Sequence, residues 1–241
     1  MVNYSVEAFI RTIGSTWVEY NRRLLINKAL ERESDEVFSI VDVGCGDGLY
    51  FSHILQHSIR CNLLVGVDTS MEAVAKARQM SKDARTECIV ADAQALPFRT
   101  AIFDLAFSKD LLHHTNNPVR VLKEIKRVCY GNLIIVEANR PNFIMLLYTK
   151  FGHQHFTLDQ LMSLVKKTDM KLKWFKQVYA YPITCLFLSK NPTIILWNIM
   201  ILPFLFICHL VTNLSKPFLR IFSIFMKPSF NVLCIDVKDV R

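Results

Sequence analysis

The sequence has no closely spaced cysteines, no apolar leader and no internal repeat. Its seven cysteines are never closer than 16 residues apart, so it lacks the CxxC pairs of zinc sites and the dense cysteine spacing of disulfide frameworks. The first residues run into a mixed, charged segment instead of a secretory signal. We therefore expect buried thiols in a reducing compartment, and a cytoplasmic protein.

Net charge is also absent from the first 140 residues, which hold 17 basic and 17 acidic side chains. The formal net charge of +8 lies entirely in the last 101 residues, together with the longest apolar run. With 241 residues, 51% of them hydrophobic, and a mean hydropathy of +0.24, the chain can bury a sizeable core. These values exclude disordered and collagen-like proteins, and the pairing of basic with apolar residues favours a membrane surface over DNA.

Short apolar runs alternate with helical patterns between residues 35 and 140. Predicted strands cover 37–43, 62–67, 87–91, 103–108 and 132–137, and predicted helices begin near 49 and cover 71–81 and 119–128. Farther on, we predict a helix over 157–167 capped by Thr157 and strands over 171–179 and 230–237. Because each parallel crossover needs a covering helix, the alternation predicts an α/β fold with a doubly wound, mostly parallel sheet.

The strongest local signal is the segment Val41-Asp42-Val43-Gly44-Cys45-Gly46-Asp47-Gly48 at a strand-to-helix turn. Such glycines allow a tight turn and a close ligand approach, and the next helix offers free N–H groups. Asp68, 20 residues beyond Gly48, ends the second strand, where a carboxylate can accept both hydroxyls of a ribose. The spacing is not the G-x-G-x-x-G of dinucleotide sites, and the flanking Asp42 and Asp47 would repel a pyrophosphate but suit a cationic amino group.

Four ordered motifs resemble those of the class I S-adenosylmethionine-dependent methyltransferases, and most closely those of their small-molecule, lipid and quinone-type members. They are the glycine turn, Gly66-Val67-Asp68-Thr69-Ser70, Ala91-Asp92-Ala93 with Leu96-Pro97-Phe98, and Phe103-Asp104-Leu105 through Leu112-His113-His114. The resemblance implies a Rossmann-like seven-stranded sheet in the order 3-2-1-4-5-7-6, with an antiparallel seventh strand, and S-adenosylmethionine as cofactor. Together with the helical spacing of the first residues and the composition of the last 101, it predicts a single domain, with N-terminal helices over 1–34, a cofactor-binding core over 35–182, an apolar basic helical insert over 183–228 and the last strand over 229–241.

The same resemblance assigns roles to individual residues. Gly44, Cys45 and Gly46 would line the methionine part of the cofactor, with Asp42 near its amino group. Asp68 would bind the ribose hydroxyls, Thr69 or Ser70 would neighbour the adenine, and Asp92 would hold the adenine amine, with Ala93 contributing backbone. Ser108 and Lys109 would lie beside the sulfonium and its methyl group.

Methyl transfer from a sulfonium needs alignment and, for a poor nucleophile, a base. His113 and His114 are the candidates for that base, and Asp110 is another; the alternative is that one histidine only packs near the pocket. His153 and His155 form an H-x-H pair without a cysteine or carboxylate at ligand spacing, so we predict no metal site, although they could line the substrate mouth.

The segment 191–215 contains no Asp, Glu, Lys or Arg and is long enough to span a bilayer. Pro203 and the need for residues 230–237 to return to the sheet argue against a single crossing, so we expect residues 192–226 to lie on a membrane surface, monotopic or peripheral. A lid, a dimer interface or a spanning hairpin are the alternatives.

The predicted function is methyl transfer to a small hydrophobic or membrane-associated acceptor of lipid, isoprenoid or quinone type, with no nucleic-acid partner. The alternatives are a soluble small-molecule or tRNA methyltransferase, and a catalytically silent, membrane-docked scaffold of the same fold. The acceptor and the oligomeric state are left open by the sequence.

Overall fold

A seven-stranded sheet organises the residues that the computed structural model describes, which are 38–57, 60–138, 155–178 and 230–237. Its strands are β1 (Ser39–Val43), β2 (Leu63–Asp68), β3 (Thr86–Val90), β4 (Phe103–Lys109), β5 (Cys129–Ala138), β6 (Lys171–Val178) and β7 (Phe230–Asp236). The predicted N-terminal helices (1–34) and the apolar insert (183–228) lie outside the described residues.

The strand order is β3-β2-β1-β4-β5-β7-β6, and β7 runs antiparallel to both β5 and β6. Both features confirm the sheet that the sequence implied. β1 lies between β2 and β4, with parallel pairing on both sides. Because the chain winds outward from β1 in both directions, the carboxyl end of β1 is a switch point, where open α/β sheets form their ligand crevice.

Helices cover both faces of the sheet. They are α1 (Phe51–His57), α2 (Met71–Met80), α3 (Pro118–Val128) and α4 (Leu158–Lys166). α1 and α2 contribute Phe51, Ile54 and Val74 to one apolar cluster, and α3 and α4 contribute side chains such as Leu122 to the other. With both faces buried, the central strands can be almost continuously apolar, which is the pattern seen in the sequence.

The predicted cap of α4 is confirmed. The Thr157 hydroxyl accepts from the Gln160 N–H, and the Gln160 side chain accepts from the Thr157 N–H, forming a capping box. Asp159 lies in the first turn, where an acid favours the helix dipole.

The predicted start of β5 at residue 132 is wrong, because the strand begins at Cys129, directly after α3. Gly131 looks like a turn residue in the sequence, yet it lies within the strand. An added Cβ there would fall well under 3.0 Å from the Asp104 carbonyl oxygen of β4. Only glycine therefore allows β5 to run this close to β4, at the point where the register between the two strands shifts.

Candidate active site at the carboxyl edge of the sheet

A cleft of about 200 Å³ lies at the carboxyl ends of β1 and β4. Five of the predicted site residues line it together: Asp42, Gly44, Cys45, Gly46 and Lys109. Asp47, Leu49, Tyr50 and Phe107 complete the lining. Sequence reasoning had assigned no role to Tyr50, whose position on the loop after the glycine turn carries no recognisable signal.

The glycine turn packs between β2 and the loop after β4. The N–H groups of Gly44 and Cys45 both donate to the Val67 carbonyl, at 2.8 and 3.0 Å. Gly44 has φ +81°, and a Cβ there would lie 2.9 Å from the Leu111 side chain. Gly46, with φ +57°, has no atom of the described residues within 4 Å of its Cβ position, which leaves space among them for a ligand beside its backbone.

Asp68 ties the glycine turn to the start of α2. Its Oδ2 accepts from the Gly46 N–H and its Oδ1 from the Ser70 N–H, each at 2.9 Å. Each carboxylate oxygen can accept a further hydrogen bond, so Asp68 is fixed in place and still able to receive a pair of hydroxyls.

Asp42 is the buried acid of the cleft, with 3% of its surface exposed. Burial raises its pKa to about 7, and the nearby Asp68 adds to this, while the Lys109 ammonium opposes it. A cationic group entering the cleft would favour the ionised form of Asp42.

The other predicted cofactor residues lie around this centre. Cys45 is buried, and burial raises the pKa of its thiol far above the usual value, so it is an apolar wall and not a nucleophile. The Ser70 hydroxyl caps α2 by accepting from the Ala73 N–H, and Thr69 beside it is exposed. Asp92 is exposed and accepts from the Gln94 N–H, whereas Ala93 is buried.

The end of β4 carries a second group of polar side chains. The Ser108 hydroxyl is fully buried and has no hydrogen-bond partner among the described residues. The Lys109 ammonium lies 2.6 Å from Asp110 Oδ2 and 4.9 Å from the centre of the Tyr50 ring. Asp110 has φ +49°, and its N–H donates to the Val136 carbonyl of β5. Its carboxylate therefore balances the Lys109 charge beside the cleft.

His113 is held by a residue that sequence reasoning missed. A 3-10 turn, Leu112–His114, follows β4, and His113 Nδ1 lies 2.6 Å from Oε2 of the fully buried Glu137. The exposed ring of His114 lies 4.1 Å from that of His113, and the ring of His155 lies 4.7 Å from it. The available signal for Glu137 was an acid at the carboxyl end of an otherwise apolar parallel strand.

Asp110, His113 and Glu137 also place potential metal-ligand atoms within 4.8 Å of one another. Ligand atoms around a cation such as Zn²⁺ lie about 3.3 Å apart, given bond lengths of about 2 Å in a tetrahedron. The 2.6 Å between His113 and Glu137 is a hydrogen-bond distance instead. His113 and Glu137 therefore form a hydrogen-bonded pair, and a cation would have to separate these two side chains.

The described residues fit the cofactor that the motifs imply. Three features lie where the motifs predict contacts with the cofactor. They are the space beside Gly46 among the described residues, the buried Ser108 hydroxyl at the end of β4 and the Asp68 carboxylate at the end of β2. Among the described residues that line the cleft, the one cation is Lys109, which Asp110 already pairs, so Asp47, the neighbouring Asp68 and the ionised fraction of Asp42 leave an excess of negative charge. This excess suits a ligand with an ammonium and a sulfonium.

Comparisons with known proteins agree with the fold and the motifs. Residues 41–134 match a family model described as a methyltransferase domain. A malonyl-[acyl-carrier protein] O-methyltransferase of Legionella pneumophila is 36% identical over 94 residues, which is 39% of this chain and 33% of that protein. A tRNA U34 carboxymethyltransferase of Campylobacter curvus is 28% identical over 122 residues, covering 50% of this chain and 38% of that protein.

The chain thus spans about a third of the length of these relatives. Among solved structures, an S-adenosylmethionine-dependent methyltransferase from Mesorhizobium loti superposes with a TM-score of 0.58 at 16% identity, covering 87% of this chain and 95% of that one. At this level of identity the superposition shows that the fold is shared.

Proposed function

We propose that this chain, whose residues 41–134 form a class I S-adenosylmethionine-dependent methyltransferase domain, transfers the methyl group of that cofactor to a small hydrophobic acceptor. The observation that carries the proposal is the acid-lined cleft at the carboxyl end of β1, with Asp68 fixed beside it. Lipids, isoprenoids and quinone precursors are the acceptor classes that we favour.

When bound, the cofactor supplies an electrophilic methyl group, and the protein's residues bind and align it. We assign the methionine part to the glycine turn and Asp42, and the ribose to Asp68. Thr69, Ser70, Asp92 and Ala93 follow β2 and β3, and we assign them to the adenine. Ser108 and Lys109 would lie nearest the sulfonium, where the Asp110 carboxylate reduces repulsion from the Lys109 charge.

The pKa of Asp42 gives this assignment a pH dependence. A carboxyl group with a pKa of about 7 is mostly neutral at pH 5.5 and half ionised at pH 7, and only the ionised form attracts an ammonium. We expect the association constant for S-adenosylhomocysteine, measured by calorimetry, to rise about tenfold across this interval. Asp42→Asn should remove most of the rise, and an equally steep rise in that variant would contradict the assignment.

The choice of a hydrophobic acceptor is supported by composition. The last 101 residues combine the net charge of +8 with the uncharged segment 191–215. No helix in the described ranges has the length and apolarity needed to cross a bilayer. We propose that residues 192–226 dock on an anionic membrane surface. Sedimentation with anionic liposomes at low salt tests this, and recovery of the protein in the supernatant would contradict it.

A tRNA acceptor is the second candidate, because a relative at 28% identity is named for tRNA modification. The test is incubation of the protein with methyl-labelled S-adenosylmethionine and, separately, a total lipid extract, a polar extract and bulk tRNA. We expect label in the lipid extract with the wild type and, at a cofactor concentration below the wild-type dissociation constant, less than about a tenth as much with Asp68→Ala. Label only in the polar extract or only in tRNA would replace the proposed acceptor class, and cofactor binding without any transfer would favour a silent scaffold.

A further inference from the structure

Glu137 is a carboxylate with both oxygens held in place. It is fully buried near the carboxyl end of β5, one residue beyond the pairing of Val136 with Lys109. Its Oε1 accepts from the Leu112 N–H at 2.7 Å, and its Oε2 lies 2.6 Å from His113 Nδ1. The side chain of His113 is itself only 5% exposed.

The Leu112 contact determines which oxygen faces the histidine. Because the backbone N–H can only donate, Oε1 is an acceptor, and the orientation of the carboxylate is fixed. A carboxylate at Oε2 then accepts from an Nδ1–H, which places the lone pair of the neutral ring on Nε2. Burial and the nearby Asp110 raise the pKa of Glu137, while its hydrogen bond with His113 lowers it.

The position of this pair connects it with the cleft. His113 lies on the loop that follows β4, and Leu111 of this loop lies against Gly44 of the glycine turn. The same loop leaves β4 at Lys109, which lines the cleft. His113 thus lies two residues from the side chain that packs against the glycine turn, and four residues from the cleft-lining Lys109.

We propose that Glu137 is a positioning residue that holds His113 in the Nδ1–H form and presents Nε2 as the proton acceptor for the methyl acceptor. This inference rests on the proposed function. As the bond from the acceptor atom to the methyl carbon forms, the bond from sulfur to that carbon breaks and leaves a neutral thioether. The acceptor's proton moves to Nε2 and from there to solvent.

The proposal defines the acceptor more narrowly. A base is needed only where the nucleophilic atom still carries its proton at neutral pH, as in a hydroxyl group or a carbon acid. A carboxylate acceptor is already ionised and would gain nothing from the pair.

The competing explanation is that Glu137 only anchors the 3-10 turn to β5. Glu137→Gln separates the two roles, because its amide oxygen can still accept from Leu112 while its NH₂ group donates to Nδ1 and selects the opposite tautomer. Glu124→Gln is the matched control, since Glu124 also accepts a backbone N–H, that of Leu96, and bonds a side chain of its own helix, Arg127.

The first readout needs neither cofactor nor acceptor. Long-range ¹H–¹⁵N spectra of ¹⁵N-labelled protein report which ring nitrogen carries the proton, and the His113 signal is the one missing in His113→Gln. We expect Nδ1–H in the wild type and in Glu124→Gln, and Nε2–H in Glu137→Gln. Nε2–H in the wild type, or an unchanged tautomer in Glu137→Gln, would overturn the proposal.

The second readout is single-turnover methyl transfer to the labelled fraction found above. Glu137→Gln should slow transfer about 100-fold, a typical contribution of a positioned base, with the dissociation constant of S-adenosylmethionine within twofold of the wild type. A changed tautomer with an unchanged rate would overturn the positioning role and leave the methyltransferase assignment intact. Failure of the wild type to bind the cofactor would instead contradict the proposed function.

Discussion

Replacing Asp68 by alanine is expected to weaken the binding of S-adenosylmethionine by more than tenfold, or about 1.4 kcal/mol. The carboxylate would lose its bonds to the ribose hydroxyls, and the Gly46 and Ser70 N–H groups would lose the acceptor that fixes them. Calorimetric titration measures the change directly.

Asp83→Ala is the control for Asp68→Ala. Asp83 makes the same bond to the N–H two residues ahead, that of Arg85, outside the cleft. The dissociation constant of S-adenosylmethionine from the Asp83→Ala variant should equal that from the wild type. If Asp68→Ala also bound with wild-type affinity, the ribose assignment would be wrong. Urea unfolding of both variants shows whether any loss of binding accompanies a loss of stability.

Gly131→Ala is expected to reduce the free energy of unfolding by about 3 kcal/mol or more. The added methyl group would overlap the Asp104 carbonyl oxygen, and neither backbone can retreat without breaking the pairing of β4 with β5. The change can be measured by urea denaturation. The same pairing brings Glu137 beside His113, so the variant also tests the packing on which that contact depends.

Gly46→Ala is the matched glycine control for stability. In the described part of the chain no atom lies within 4 Å of its Cβ position, so we expect the substitution to cost only the left-handed backbone conformation, about 1–2 kcal/mol. Equal losses in the two variants would mean that β5 does not approach β4 as described.

The sequence predicted those parts of the fold and site that depend on local signals. Apolar runs located the described strands other than β6, which was located by alternation, and the α4 cap was visible in the residues Thr157 to Gln160. The sheet order came from the motifs and not from periodicity. The residues predicted to bind the cofactor lie at or just beyond the carboxyl ends of parallel strands, which meet at one edge of the sheet, and their roles stay predictions.

What the sequence could not predict depends on contacts between distant residues. Glu137 meets His113 only because β4 and β5 pair in one particular register, with Lys109 opposite Val136. The ion pair of Lys109 with Asp110 accompanies a left-handed backbone conformation at Asp110, and the local sequence does not predict that conformation. The early start of β5 depends on how close two backbones come at Gly131.

The central claim is that the acid-lined cleft binds S-adenosylmethionine and not a dinucleotide. Calorimetric titration of the protein with S-adenosylmethionine, and in parallel with NAD, tests it most directly. The account predicts saturable one-to-one binding of S-adenosylmethionine and no heat of binding from NAD, because Asp42 and Asp47 would repel a pyrophosphate. Binding of NAD without binding of S-adenosylmethionine would contradict it.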